Sequence, residues 1–242
     1  MPSLDLRSDV KLSVVIPAYN EEATLAAVIR KLLDVPYLFE IVIVDDCSTD
    51  ATQSIAARLA TEHVYVRTIR HKQHLGKTGA LKSGFAATTG DIVIVQDADL
   101  EYDPLEIKDI IQPIVDGFAD VVYGSRFSVY RANHAFYFYH YLANRFLTFT
   151  SNLLTNIAFS DVETGYKAIR GEIIRNMVIT STGFGFEVEV TAKVAKLGCA
   201  TFEVPISYHG RTYQQGKKIS YLDGIAALWY IFQYNWFTSL RE

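Results

Sequence analysis

Hydrophobic positions in the first half of the chain alternate between two rhythms. Ser13-Val14-Val15-Ile16 reads as a strand that stops at Pro17. Residues 22–33 then place Leu25, Val28, Ile29 and Leu32 on one helical face. A second strand, Glu40–Val44, ends in Asp45 and Asp46, and Ser48 or Asp50 is placed to cap a helix over about 51–61. A third strand spans Val64–Ile69, and a helix over 78–89 packs through Leu81 and Phe85. Next come the strand Ile92–Val95 and a helix from Pro104 carrying Ile107, Ile110, Ile111 and Ile114. Ile92-Val93-Ile94-Val95 is apolar throughout, the mark of a strand buried on both faces. The alternation predicts an α/β fold of right-handed βαβ units, a mostly parallel sheet flanked by helices.

After Asp120–Arg126 the pattern changes. A segment crowded with aromatics, 129–159, puts Ala135, Tyr139, Leu142, Phe146, Phe149 and Leu153 at helical spacing, with Tyr137, Tyr141, Asn144 and Thr148 on another face. A helix over about 132–158 with this pattern either joins the core or lies on a membrane interface, where Tyr and Phe are at home. Residues 200–208 restore a strand, and Arg211–Lys218 is a polar, basic loop. The C-terminal run 219–240 is long enough to span a bilayer, since about 20 helical residues cover roughly 30 Å. Asp223, Gln233 and Asn235 count against a span, an aspartate at mid-bilayer costing about 3 kcal/mol. The stripe Leu222, Ile225, Trp229, Phe232, Trp236 predicts an amphipathic helix instead, packed on the sheet or lying on a membrane.

Composition narrows the field. At 242 residues the chain can hold one large domain, 1–242. A net charge of -4 gives no electrostatic footprint for nucleic acid. Two isolated cysteines, Cys47 and Cys199, provide neither a disulfide framework nor zinc spacing and fit a reducing compartment. Residues 1–11 are polar, unlike a signal peptide, so the expectation is a cytoplasmic protein. Oligomeric state is left open, a homo-oligomer included.

The candidate chemistry gathers where strands end, which is where open α/β sheets bind ligands. Pro17-Ala18-Tyr19-Asn20-Glu21-Glu22 follows the first strand, and Asp45-Asp46-Cys47-Ser48-Thr49-Asp50 the second. His74-Leu75-Gly76-Lys77-Thr78 opens a helix, and Asp97-Ala98-Asp99, with Glu101, follows the Ile92–Val95 strand. Two carboxylates one residue apart are oxygen donors suited to Mg²⁺ or Mn²⁺, ions that commonly also take phosphate oxygens. Gly76-Lys77-Thr78 is not a P-loop, because His71 stands where the first glycine is required. The histidines show no paired metal spacing.

Taken in order, "VVIPAYNEE", "IVIVDDCSTDAT", "GKTGALKSG" and "IVIVQDADLEYDP" resemble the successive signatures of family 2 glycosyltransferases, and most nearly the branch of dolichol-phosphate mannose and glucose synthases. The likeness covers about residues 12–126, and "DVETGYKAIR" (161–170) and "YHGRTYQQGKK" (208–218) more loosely. It implies a GT-A fold, a nucleoside-diphosphate-sugar donor, a divalent metal and inversion at the anomeric carbon. Carried onto this chain, it makes Pro17, Tyr19, Asn20 and Glu21 border the nucleoside, with Asp45 or Asp46 accepting hydrogen bonds from the base. Gly76 lets backbone approach the donor, and Lys77 balances diphosphate charge. Asp97 and Ala98 meet the donor sugar or ribose, Asp99 binds the metal with Asp97, and Glu101 is a further residue on the metal side. His74 stands where the family often carries Asn.

The same branch implies a polyprenyl-phosphate acceptor, a membrane surface and residence on its inner face as a peripheral protein. Residues 1–126 would then serve the donor, and 127–242, with the two amphipathic helices, the acceptor. A phosphate monoester is already anionic and needs cations rather than a base; Arg126, Arg131 and Arg211, with Lys217 or Lys218, are the candidates. A sugar-hydroxyl acceptor would instead need a carboxylate base, for which Asp161, Glu187 and Glu189 are available. A third reading, a catalytically silent sugar-nucleotide-binding protein, sits poorly with the intact Asp97/Asp99 pair.

Overall fold

Side chains of alternate parity on two neighbouring strands divide the core into two layers. Strand β1 (Leu12–Ala18) sends Val14 and Ile16 to one face and Val15 to the other, while β4 (Ile92–Val95) sends Ile92 and Ile94 one way and Val93 and Val95 the other. The computed structural model describes residues 10–128, 137–210 and 221–238. The first face is covered by α1 (Leu25–Leu32), α2 (Thr52–Glu62) and α4 (Ile107–Val115), through Leu25, Ile29, Ile110 and Ile114. The second is covered by α3 (Gly76–Ala87), α7 (Phe186–Leu197) and α8 (Tyr221–Phe232), through Leu81, Phe85, Phe186 and Ile231. This is the predicted α/β sandwich, with continuous apolar strands because both faces are dry.

Strands β2 (Leu38–Asp45), β3 (Val66–Arg70), β5 (Val121–Ser125), β6 (Lys167–Arg170) and β7 (Thr201–Pro205) complete one seven-stranded sheet in the order β3-β2-β1-β4-β6-β5-β7. Every adjacent pair is parallel except those made by β6, which runs antiparallel between β4 and β5. The short β6, followed directly by α6 (Gly171–Asn176), was not evident as a strand from its hydrophobic pattern, since it begins with a fully buried lysine. The first strand also runs past Pro17 rather than stopping there. Pairing of β1 with β4 ends at Val15, so the missing proline N–H interrupts no ladder bond.

Two helices carry the aromatic patterns of the second half. Helix α5 (Phe138–Thr155) buries Leu147, Thr148 and Ser151 and turns the stripe Tyr139, Leu142, Phe146, Phe149 and Leu153 outward, 54–82% exposed. Helix α8 packs beside it, continues as a π-helical turn (Gln233–Phe237), and exposes Ile225, Trp229, Trp236 and Phe237. Among the described residues no helix is long and apolar enough to cross a membrane.

Candidate active site

The loops at the carboxyl ends of β1, β2 and β4 each contain a non-glycine residue in the left-handed region: Asn20 (φ 56°), Cys47 (φ 66°) and Leu100 (φ 61°). Such backbone costs on the order of 1–3 kcal/mol per residue and persists only where the surroundings fix it. Here the first two loops fix each other. Asn20 N donates to Ser48 Oγ (3.0 Å), Thr49 N to Asn20 Oδ1 (2.8 Å), Glu21 N to Thr52 Oγ1 (2.8 Å) and Ala51 N to Glu22 Oε2 (2.8 Å).

The adjacent aspartates differ sharply in their surroundings. Asp46 is buried and accepts from Leu75 N (2.9 Å), Gly76 N (2.7 Å) and His71 Nδ1 (2.7 Å), with His74 Nδ1 at 2.9 Å. Its carboxylate therefore anchors the loop that leads into α3. His71, the residue that ruled out a P-loop, is a member of this anchor and reaches Ser83 Oγ (2.8 Å) with its other nitrogen. Asp45, fully buried, accepts from Ser48 N (2.9 Å) through Oδ1, while Oδ2 has no hydrogen bond and lies 3.5 Å from Arg70 Nε. A buried carboxylate oxygen without a hydrogen bond is unusual, and here the Arg70 guanidinium beside it offsets its charge. The Tyr19 ring lies beside the His74 ring, centroids 4.2 Å apart.

Lys77, on the first turn of α3, is largely buried and bridges two carboxylates, Asp97 Oδ1 at 3.0 Å and Glu187 Oε1 at 3.1 Å. Burial alone would pull the pKa of its ammonium down, but Asp97 and Glu187 hold it above the ordinary lysine value. Asp97 is also crowded from behind: a Cβ on Gly165 would lie 2.5 Å from Asp97 Oδ2. Ala98 is buried between the two aspartates, and Asp99 Oδ1 accepts from Glu101 N (3.1 Å). Glu101 Oε2 accepts from Tyr208 OH (3.1 Å), joining this loop to the end of β7.

Arg126, just past β5, grips Asp161 with two parallel bonds, Nε to Oδ2 (2.6 Å) and a terminal nitrogen to Oδ1 (2.7 Å). Burial would lower the Arg126 pKa, and Asp161 more than reverses that. Asp161 is completely buried and also receives Arg126 N (3.2 Å) and Asn144 Nδ2 of α5 (3.4 Å). Glu189 is equally committed, accepting from Thr180 N, Ser181 N and Lys193 Nζ at 2.7–2.8 Å. Glu187 differs, because its Oε2 is buried without a hydrogen bond.

Two titratable groups beside these were missed in the sequence. Burial, reinforced by Glu187, pushes the Glu163 carboxyl up to about 7. Burial draws the Lys167 ammonium down, although it donates to Val162 O (2.9 Å) and Thr164 O. Both lie inside the "DVETGYKAIR" stretch, and a lysine opening a buried strand was the available signal. Of the predicted residues, Arg131, Arg211 and Lys217, with Lys218, lie outside the described residues.

Asp97 and Asp99 are hard oxygen donors at a strand end, a set that fits Mg²⁺ or Mn²⁺. Among the described residues no three His, Cys, Asp or Glu side chains form a metal-holding group. Two carboxylates suffice for an ion that completes its coordination with water and phosphate oxygens.

Comparison with known proteins places this geometry. Residues 13–178 match the family model described as Glycosyl transferase family 2. The chain is 30% identical over 216 residues to a dolichol-phosphate mannosyltransferase of Pyrococcus furiosus, covering 87% of this chain and 61% of that one. It is 28% identical over 218 residues to an undecaprenyl-phosphate mannosyltransferase of Micrococcus luteus, covering 86% and 87%. Among solved structures, glucosyl-3-phosphoglycerate synthase of Mycobacterium tuberculosis bound to uridine diphosphate superposes with a TM-score of 0.74 at 22% identity, over 97% of this chain and 83% of that one. A second structure of that enzyme, with Mn²⁺, uridine diphosphate and phosphoglyceric acid, gives 0.71 at 22% identity over 97% and 81%. These likenesses carry the fold, here the GT-A arrangement.

Proposed function

The chain belongs to glycosyltransferase family 2, and from that premise we propose that it transfers a hexose from a nucleoside-diphosphate sugar to a polyprenyl phosphate at the inner face of a membrane. One observation carries the acceptor assignment. Arg126 is tied to Asp161, which Asn144 in the second turn of α5 also contacts, while α5 turns Tyr139, Leu142, Phe146 and Phe149 outward. A cation beside the inner face of a helix that is greasy outside suits an acceptor with an anionic head and an apolar tail. The two named relatives, by their names, act on dolichol phosphate and undecaprenyl phosphate.

In this reading the residues before about 126 hold the donor and those after it the acceptor. Asp45, through its unbonded Oδ2, accepts from the base, with Tyr19 and His74 bordering it and Pro17, Asn20 and Glu21 shaping the wall. Asp46 serves the site by holding Leu75 and Gly76, which brings the α3 N-terminus and Lys77 toward the diphosphate. Asp97, oriented by Lys77 and by the missing side chain at Gly165, meets the donor sugar beside Ala98. Asp97 and Asp99, with Glu101 nearby, would hold a divalent ion, which when bound neutralises diphosphate charge. An acceptor phosphate oxygen attacks the anomeric carbon as the bond from that carbon to the diphosphate oxygen breaks, and the nucleoside diphosphate leaves with the electron pair. The attacking oxygen is already anionic, so no proton passes to the protein. Arg126, with Arg131, Arg211 and Lys217, would grip that phosphate, and Asp161 holds Arg126 in place.

A hydroxyl acceptor remains the second reading, and Glu187 and Glu163 are what favour it. One has a buried carboxylate oxygen without a hydrogen bond, and the other a pKa near 7, suited to a general base. The test is label transfer from GDP-mannose and UDP-glucose, with Mn²⁺ or chelator, to polyprenyl phosphate and separately to a glycan hydroxyl. Metal-dependent labelling of the lipid phosphate by Glu187→Gln and Glu163→Gln at near wild-type rates supports the phosphate acceptor. Labelling of the hydroxyl alone, lost by orders of magnitude in either variant, overturns it.

A further inference from the structure

Helix α8 touches the donor side of the molecule through its inward tyrosines. Tyr234 OH pairs with Thr180 Oγ1 (3.0 Å) and Tyr230 OH with Thr182 Oγ1 (3.1 Å). The Tyr230 ring lies so close to Gly185 that a Cβ there would come within 2.7 Å of it. Residues 180–185 therefore form a loop pressed against α8 at three points.

The other side of that loop caps α3. Gly183, at φ +57°, turns its carbonyl to accept both Thr78 N (3.0 Å) and Thr78 Oγ1 (2.9 Å). Thr78 belongs to the first turn of α3, whose amide N–H groups have no partner inside the helix. Lys77 is its neighbour, and Lys77 Nζ lies 3.1 Å from Glu187, on the first turn of the helix that the loop leads into. One short segment thus joins α8 to the cation and helix end that face the donor diphosphate. Ile225, Trp229, Trp236 and Phe237 point away from the protein on the same helix, each at least 60% exposed.

We infer that Tyr230 and Tyr234 are positioning residues through which seating of α8 on a membrane tightens the donor site. The inference rests on the membrane reading above. Lipid contact with the outward aromatics holds α8 against the body of the protein. The two tyrosines then hold the 180–185 loop, and the Gly183 carbonyl holds the start of α3. A ligand shifts such an equilibrium only through differential affinity, and the coupling is reciprocal: vesicles tighten nucleotide binding by the factor by which nucleotide tightens vesicle binding.

The experiment uses the full chain, with GDP and UDP plus Mn²⁺ as probes and vesicles of phosphatidylethanolamine with phosphatidylglycerol. Nucleotide Kd is measured with and without vesicles, and flotation with and without nucleotide. Wild type is expected to show about a fivefold or larger effect, equal in the two directions. Tyr230→Phe/Tyr234→Phe keeps both rings, and Thr180→Val/Thr182→Val cuts the same bonds from the loop side, together with the bond from Thr180 Oγ1 to Glu189. Each double variant is expected to float as wild type does in the absence of nucleotide while the coupling factor falls toward one. A wild-type protein that floats but binds nucleotide equally well with and without vesicles overturns the inference and leaves the membrane reading standing, as do variants that keep the full factor. A wild-type protein that does not float removes both.

Discussion

Replacing Arg126 by methionine separates its structural task from its proposed task at the acceptor. The guanidinium is 12% exposed and Asp161 not at all, and two bonds of 2.6 and 2.7 Å join them. Arg126→Met leaves a buried carboxylate without its counter-charge, which costs about 3–5 kcal/mol. For a chain of this length 1 kcal/mol moves Tm by roughly 2 °C, so the expected fall is about 6–10 °C. Most of that cost is the orphaned charge rather than the net worth of the pair, so Arg126→Met/Asp161→Asn should recover at least half of it. Calorimetry on wild type, both single variants and the double variant measures the coupling. Transfer to polyprenyl phosphate should stay absent in the double variant, because the stability returns without the cation. A double variant whose Tm loss is the sum of the singles, or an Arg126→Met protein within about 1 °C of wild type, would refute the reasoning.

Gly165→Ala drives a methyl into Asp97 Oδ2; Mn²⁺-dependent nucleotide affinity should fall about tenfold or more, read by titration calorimetry, with a Tm fall of about 2–6 °C from the overpacking. The Glu163 carboxyl is pushed up to about 7 from 4.5, so between those pH values the unfolded chain gives up this proton before the folded one. The group thus removes stability as pH rises through that window and nothing further above it. Glu163→Gln should therefore gain Tm relative to wild type from pH 4.5 to 7, and a constant difference across that range would contradict the shift. Trp229→Ser and Trp236→Ser each remove an indole that is at least 60% exposed. If each buries on the order of 100 Å² in lipid, about 2.5 kcal/mol is lost and vesicle partitioning falls more than tenfold, with Tm held within about 2 °C.

Periodicity carried the first half of the molecule because its strands are dry on both faces and its helices amphipathic. Ile92–Val95 and the Ile107–Ile114 stripe sit where their spacing puts them. The outward stripes of α5 and α8 were legible as stripes, but which side they faced was a tertiary fact, settled by the burial of Leu147, Ala227 and Ile231 on the opposite sides. β6 escaped because four residues with a lysine at the head carry no strand signal, and its place is dictated by the gap between β4 and β5. The Asp45–Asp46 pair shows the limit for the site. Two adjacent carboxylates look interchangeable in sequence, yet opposite side-chain directions give one four partners within the protein and leave an oxygen of the other without a hydrogen bond. Glu163 could not be singled out, since its perturbation comes from burial and from Glu187, 24 positions away.

The antiparallel insertion of β6 also bears on how the protein comes into being. Asp97 is backed by Gly165, and β4 gains its second neighbour only from residues 168–170, more than seventy positions downstream. On the ribosome, a nascent chain that has just released its first βαβ units has a bare edge at β4 and an unsupported Asp97. Until the polypeptide has grown past residue 170 Asp97 lacks the backing of Gly165 and a settled β6, and β5 cannot join the sheet without β6 between them. The proposed donor half is therefore not a module that can be cut out, swapped or made first. On the proposed reading, the capacity to hold a sugar nucleotide arrives together with the segment that carries Asp161 and the grip on Arg126, so a product truncated before residue 170 would lack both the proposed donor site and the proposed acceptor site.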